Sequence, residues 1–292
     1  MSNAKLINLG RLGLFSAAFL WGISFVMMKS ILTNISPFYI LAVRFCGAAL
    51  LLLPLCAGKL KTLNTAYLRG GILMGSALLL GYAFQTFGLR LTTPGKNAFL
   101  TSAYCVMVPF IYWVYIKKRP DIFNAVAAFI SLAGIGLISL DGDFRIGAGD
   151  ALTIVCGLFY ALHIVITTKF IDGRDPVMLA MLQFAGAGII ALVFAIIVEP
   201  LPVIATPSDI WSLVFLTVVC TAGCLLLQVF GQKYTPPSQA SVILTLESVF
   251  GAMTSVILFD EVLTFRLIAG FTLTFAAVII SETKLGFLRR KS

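Results

Sequence analysis

The sequence predicts an all-α integral membrane fold: ten transmembrane helices, arranged as two inverted five-helix repeats, with both termini cytoplasmic. Three observations lead there. Of 292 residues, 60% are hydrophobic and 11% charged, with a mean hydropathy of +1.02. A water-soluble domain needs a polar exterior, and this chain has too few polar residues to cover one. Apolar runs of roughly 20 residues recur from end to end, each long enough for a hydrocarbon core of about 30 Å. The basic residues, finally, collect in alternate loops. Lys5, Arg11, Lys59, Lys61, Arg69, Lys117, Lys118, Arg119, Lys169, Arg174, Lys233, Lys284, Arg289, Arg290 and Lys291 fall on one side, and few, such as Arg90, Lys96, Arg145 and Arg266, on the other. That is the positive-inside pattern, so the net charge of +9 is a topology signal and not a nucleic-acid footprint.

The spans read as 11–32, 37–55, 67–89, 97–116, 122–140, 150–171, 176–198, 208–231, 239–259 and 264–284. Pro37 and Pro176 stand where a first-turn proline is tolerated, Asp150 and Ser208 suit N-caps, and Pro94, Pro120 and Pro237 mark loops. The first run, Leu12–Leu32, is too long for a signal-peptide core and lacks a small-residue cleavage pattern, so no cleaved leader is expected. The loops are short, and the longest, 141–150, is too small for a domain. The six cysteines lie in or at the ends of apolar runs and read as small packing residues. Gly71 with Gly75, and Gly134 with Gly136, read as helix-packing positions, and Lys29 as a side chain snorkelling outward with no site role.

Shifted against itself, the chain shows a duplication. "QTFGLRLTTP" (85–94) and "QVFGQKYTPP" (228–237) share Gln, Phe, Gly, Thr and Pro without gaps at an offset of 143. At an offset of 139, "RFCGA" (44–48) meets "QFAGA" (183–187), Trp21 meets Tyr160 and Ser24 meets His163. The chain therefore divides into repeats over 1–145 and 146–292. With five spans each, the second repeat enters the membrane from the opposite side. Inverted repeats are a construction of secondary transporters, with the substrate site near the midplane between the halves.

Three stretches carry a family resemblance: "FLWGISFVMMKSI" in the first span, "TTPGKNAFLTSAYCVMVPF" entering the fourth, and "GQKYTPPSQASVILTLESVFGAM" into the ninth. Together they resemble EamA-type members of the drug/metabolite transporter (DMT) superfamily, over essentially the whole chain. The resemblance implies the DMT fold of five plus five inverted helices. Helices 1, 3, 4, 6, 8 and 9 would line a central cavity, with 5 and 10 outside. Where many members place Pro after the ninth-span Glu, this chain has Ser248; where many have Trp in the sixth span, it has Tyr160.

Of the twelve acids, Glu247 alone sits near a span centre. Inserting an acid there costs about 2.5–3.5 kcal/mol, so it must face protein or water. Two readings stand: a cavity acid that binds a substrate amine or carries a coupling proton, or a Glu paired with a buried donor that locks helices together. Its mate at offset 143 is Tyr104, on a face with Asn97 and Thr101. His163, the single histidine, shares a face with Tyr160 and Thr167 and is a second candidate for proton coupling, for substrate contact, or for a plain hydrogen bond. Trp21, Ser24 and Met28 form the equivalent first-span face. Arg44 and its mate Gln183 read as polar anchors, or Arg44 as the partner of a substrate carboxylate; Gln85 and Gln228 read as reciprocal gate residues or backbone caps.

No nucleotide-binding motif is present, and one His with one central Glu is thin for an enzyme, so no catalytic residue, metal site or cofactor is expected. The expectation is a secondary transporter of the inner membrane, moving a small polar metabolite, amino-acid-like or cationic and amphiphilic, by alternating access about a central cavity and in the direction of export. The competing reading is a non-transporting scaffold or receptor. The expected partners are the small-molecule substrate and membrane lipids, with no nucleic acid, and a monomer or a loosely associated homodimer.

Overall fold

The computed structural model describes residues 3–117, 119–139, 146–202 and 206–284. Lys118, Arg145, Arg289, Arg290 and Lys291 of the charge pattern, and the expected repeat boundary at 145, lie outside the described residues. The helices are α1 (Asn3–Ile31), α2 (Pro37–Cys56), α3 (Thr65–Leu91), α4 (Pro94–Thr101), α5 (Tyr104–Ile116), α6 (Ile122–Ser139), α7 (Ala148–Ile171), α8 (Pro176–Val198), α9 (Pro207–Phe215), α10 (Cys224–Tyr234), α11 (Pro237–Phe259) and α12 (Phe265–Thr283). A π-helical stretch, Leu216–Gly223, joins α9 to α10. Among the described residues, eight helical segments are long and apolar enough to cross a membrane, and the apolar helices Ile122–Ile138 and Phe265–Ala277 are shorter.

Local chemistry sets the helix starts. Proline occupies the first turn of α2, α4, α8, α9 and α11, where no backbone N–H is lost from the ladder. Asn64, Thr93, Asp175 and Thr264 accept from first-turn amides, and Thr206 forms a capping box with Asp209. Two expected caps are corrected. Helix α7 starts before Asp150, whose carboxylate instead accepts from Thr92 Oγ1 at 2.6 Å. Ser208 lies inside α9, because Thr206 has already taken the capping position. Lys29 is a further correction: its ammonium donates to the carbonyls of Leu89, Arg90 and Thr92, closing the end of α3.

The extensive packing lies between elements far apart in sequence: α2 on α8, α3 on α7 and α8, α1 on α10 and α11, and α6 on α12. Glycines make the crossings close. Gly88 lies against Gly149 at one, and Gly231 against Gly10 at another. Along α1, Gly10 meets Gly231 and Trp21 meets Cys220, so α1 and α10 are antiparallel. Along α3, Gly81 meets Tyr160 and Gly88 meets Gly149, so α3 and α7 are antiparallel. Lys29 near the end of α1 reaches the end of α3, so those two run together. Hence α1 and α7 run in opposite directions.

A Cβ added at Gly22 would sit 2.3 Å from Phe250 Cβ and 2.9 Å from Gly251 N. Neither atom is the far end of a flexible side chain, so α1 and α11 must separate. Gly22→Ala is therefore expected to cost about 1–3 kcal/mol, read as a lowered thermal midpoint of the purified protein. Gly58→Ala, with nothing within 4 Å, is the matched control and should leave the midpoint unchanged.

At the end of the bundle where α1 begins, Lys59 pairs with Asp175 at 2.6 Å, and Lys284 with Asp121. Burial alone would raise the Asp175 carboxyl. The hydrogen bond from Lys59 and those from the amides of Met178 and Val177 outweigh it and hold the group below its ordinary value. A carboxyl lowered on folding contributes stability that is present above its unfolded pKa and lost as pH falls through the folded one. Asp175→Asn should remove that acid-sensitive part, flattening the midpoint-versus-pH curve below about pH 4; an unaltered curve would contradict it.

Candidate functional site

A cavity lies between the helices at mid-height, walled by α1, α2, α3, α5, α7, α10 and α11. None of its wall comes from α6 or α12. Its volume is about 50 Å³. One ordered water takes about 10–15 Å³ by that measure, so an amino-acid-sized solute enters only if the helices move apart.

Most of the sequence-predicted residues meet here: Trp21, Ser24, Arg44, Gln85, Tyr104, Tyr160, His163, Gln228 and Glu247 all line it. Four do not. Asn97 is buried and donates to Thr153 Oγ1 at 2.7 Å. Thr101 is buried against Cys156 Sγ and accepts from Gln85 Nε2 at 3.2 Å. The expected face of Asn97, Thr101 and Tyr104 assumed one continuous helix. The fourth span instead breaks between α4 and α5, where Ala103 and Cys105 bond three residues back, so α4 turns its polar residues toward α3 and α7. Gln183 spends Oε1 on His163 Nε2 at 2.8 Å, and Thr167 is buried one turn beyond His163, away from the cavity.

Glu247 is buried on α11, and the residue it interacts with across the cavity is Tyr104, its repeat mate. Arg44 is buried on α2. Its Nε donates to Thr221 Oγ1 at 2.9 Å, Nη1 lies 3.9 Å from Met28 Sδ, and the guanidinium sits 4.8 Å from the centre of the Tyr82 ring. Among the described residues the ion pairs are Lys59–Asp175, Lys96–Asp150 and Lys284–Asp121. Arg44, a permanent cation, and Glu247, an ionisable acid, thus share one cavity and do not pair with each other. Both are costly groups in a membrane interior, which makes this cavity the candidate site.

The aromatic walls are tied together. Tyr160 donates to Gln85 Oε1 at 2.8 Å, and its ring meets those of Tyr82 and Tyr104 edge-on at 5.6 and 6.4 Å. Trp21 Nε1 donates to the carbonyl of Cys220 at 2.7 Å. That acceptor exists because the chain is π-helical over Leu216–Gly223, which frees carbonyls from the regular ladder. Within it Thr221 Oγ1 donates to the carbonyl of Leu216 at 2.7 Å while accepting from Arg44. The π-helical turn thereby orients both Trp21 and Arg44.

Tyr82 and Thr221 escaped the sequence reading. Tyr82 was detectable, since it precedes Gln85 by three residues and shares its helix face. The π-helical turn left no comparable signal. Thr221→Val, which keeps shape and removes the acceptor, should weaken binding of an anionic group at Arg44 about three- to tenfold. Thr221→Ser should restore it, and equal loss in both variants would contradict the orienting role.

Comparison with known proteins gives a consistent result. The family model for the EamA-like transporter family matches residues 8–140 and again 147–283. An "Uncharacterized transporter" of Archaeoglobus fulgidus is 34% identical over 277 residues, covering 92% of this chain and 85% of its own. The "Uncharacterized transporter YoaV" of Bacillus subtilis is 23% identical over 96% of this chain and 98% of its own. A solved crystal structure superposes with a TM-score of 0.69 over 94% of this chain and 98% of that one, at 16% identity, which is a likeness of fold.

Proposed function

We propose, since the chain belongs to the EamA-like transporter family, that it is a secondary transporter for a small amino-acid-like solute. The observation that carries this reading is that a cation, Arg44, and an acid, Glu247, line one cavity without joining each other. A zwitterion complements both: its carboxylate takes the planar donors of Arg44 and its ammonium takes Glu247. Each group then gains an oppositely charged partner, which neither has among the described residues. The aromatic groups Trp21, Tyr82, Tyr104 and Tyr160 suit an apolar side chain, and they also favour a cationic amphiphile as the second reading.

Transport would proceed by alternating access between two five-helix repeats of inverted topology, ten spans in all. The two separate family matches, the opposed directions of α1 and α7, and the correspondence of α3 on α7 with α10 on α1 support that organisation. Placement in the cell inner membrane with both termini cytoplasmic rests on the basic residues at the end where α1 begins. The direction proposed is export.

The test is uptake of a labelled amino-acid panel into proteoliposomes, with and without an imposed pH gradient. Gradient-driven accumulation above empty liposomes supports a proton-coupled transporter, and equilibration indifferent to the gradient supports exchange or facilitated diffusion. Uptake of quaternary amines with no uptake of any amino acid would overturn the zwitterion reading.

A further inference from the structure

A second cavity, of about 590 Å³, opens as a groove between α1, the start of α8 and the end of α10. Its walls are apolar and include Leu12, Val177, Leu227 and Phe230, while Lys233 stands at one end. The repeat arithmetic shows why it is open. At offset 139 the mate of Val177 is Phe38, and at offset 143 the mates of Leu227 and Phe230 are Phe84 and Phe87. In the other half those rings are packed against aromatic partners. Phe38 packs on Phe87 and Phe194, each at 5.3 Å, and Phe84 stacks on Phe159 at 5.5 Å. There Phe38, Phe84 and Phe87 of the first repeat pack on Phe159 and Phe194 of the second, whereas Val177 and Leu227 supply no ring to the open groove.

The charge at the mouth selects the occupant. Lys233 is exposed, with its ammonium held 3.2 Å from the carbonyl of Arg174. Asp175, beside the groove, is engaged by Lys59 and by the amides of Val177 and Met178, so it does not neutralise Lys233. The mouth lies at the basic end of the bundle, where Lys5 and Arg11 are also exposed. Leu12, on the groove wall, is 60% exposed. An acyl chain matches the walls, and a headgroup phosphate matches the lysine.

We propose that this groove binds one acyl chain of an anionic phospholipid whose phosphate meets Lys233. The inference needs the membrane setting and does not depend on which solute the central cavity takes. The experiment is native mass spectrometry of the purified chain with phosphatidylglycerol or phosphatidylcholine of identical chains. The wild-type chain should retain the anionic lipid about fivefold better. Lys233→Gln, an exposed change that leaves the fold alone, should abolish that preference. Val177→Phe with Leu227→Phe, which copies the plugged half, should remove retention of both lipids. Equal retention of the two lipids by the wild-type chain overturns the proposal, as does a preference that survives Lys233→Gln. A dimer of the wild-type chain that the doubly filled variant converts to monomer also overturns it, by seating a second copy in the groove.

Discussion

Glu247→Gln lowers kcat/KM for uptake of a neutral amino acid by about 10- to 100-fold, the worth of a charge-assisted contact made to the moving solute. The same variant keeps or raises its thermal midpoint. Glutamine has the shape of glutamate, keeps a polar group beside Tyr104, and removes an ionisable group from a buried position. The two readings of Glu247 left by the sequence therefore separate cleanly. A group whose purpose is to hold helices together loses stability when neutralised; a group whose purpose is to meet the solute loses transport. A fall in the midpoint with uptake preserved would make Glu247 the structural partner of Tyr104.

Arg44→Met should lower uptake of the amino acid about 100-fold while leaving uptake of the corresponding decarboxylated amine nearly intact. The variant also strands Thr221 and removes the cation from the Tyr82 ring, so a general loss of folding is a competing outcome. Arg44→Lys guards against it, since it retains the charge but not the planar fork. It should show an intermediate loss with the same shift in preference from amino acid toward amine. Losses that strike amino acid and amine equally would assign Arg44 to helix packing. If Arg44 and Glu247 grip one molecule, the double variant should fall well short of the product of the single effects, because the second change removes a contact already made useless.

The duplication made much of the site legible before any coordinates. Trp21 with Tyr160, and Tyr104 with Glu247, are mates by simple offset, and all four line the cavity. Internal repetition is a record of which positions face the axis between halves, so it points at the site even where helical faces are ambiguous. The errors arose where a regular helix was assumed. The break between α4 and α5 turned Asn97 and Thr101 out of the cavity, and the π-helical stretch brought Thr221 and the Cys220 carbonyl in. Neither departure carries a proline at its centre. Lys29 was misjudged for a different reason: the carbonyls it caps belong to α3, 60 residues away, and sequence spacing is silent on such partners.

The most direct test of the central claim is the initial rate of uptake by the wild-type chain for three matched solutes. They are a neutral amino acid, the amine it gives on losing its carboxylate, and the acid it gives on losing its ammonium. Recognition of both ends by Arg44 and Glu247 predicts that each truncated solute is transported at least about tenfold less efficiently than the intact zwitterion. An amine transported as well as the amino acid would contradict a carboxylate site at Arg44, and the cavity would then belong to a cationic solute held by Glu247 and the aromatic walls.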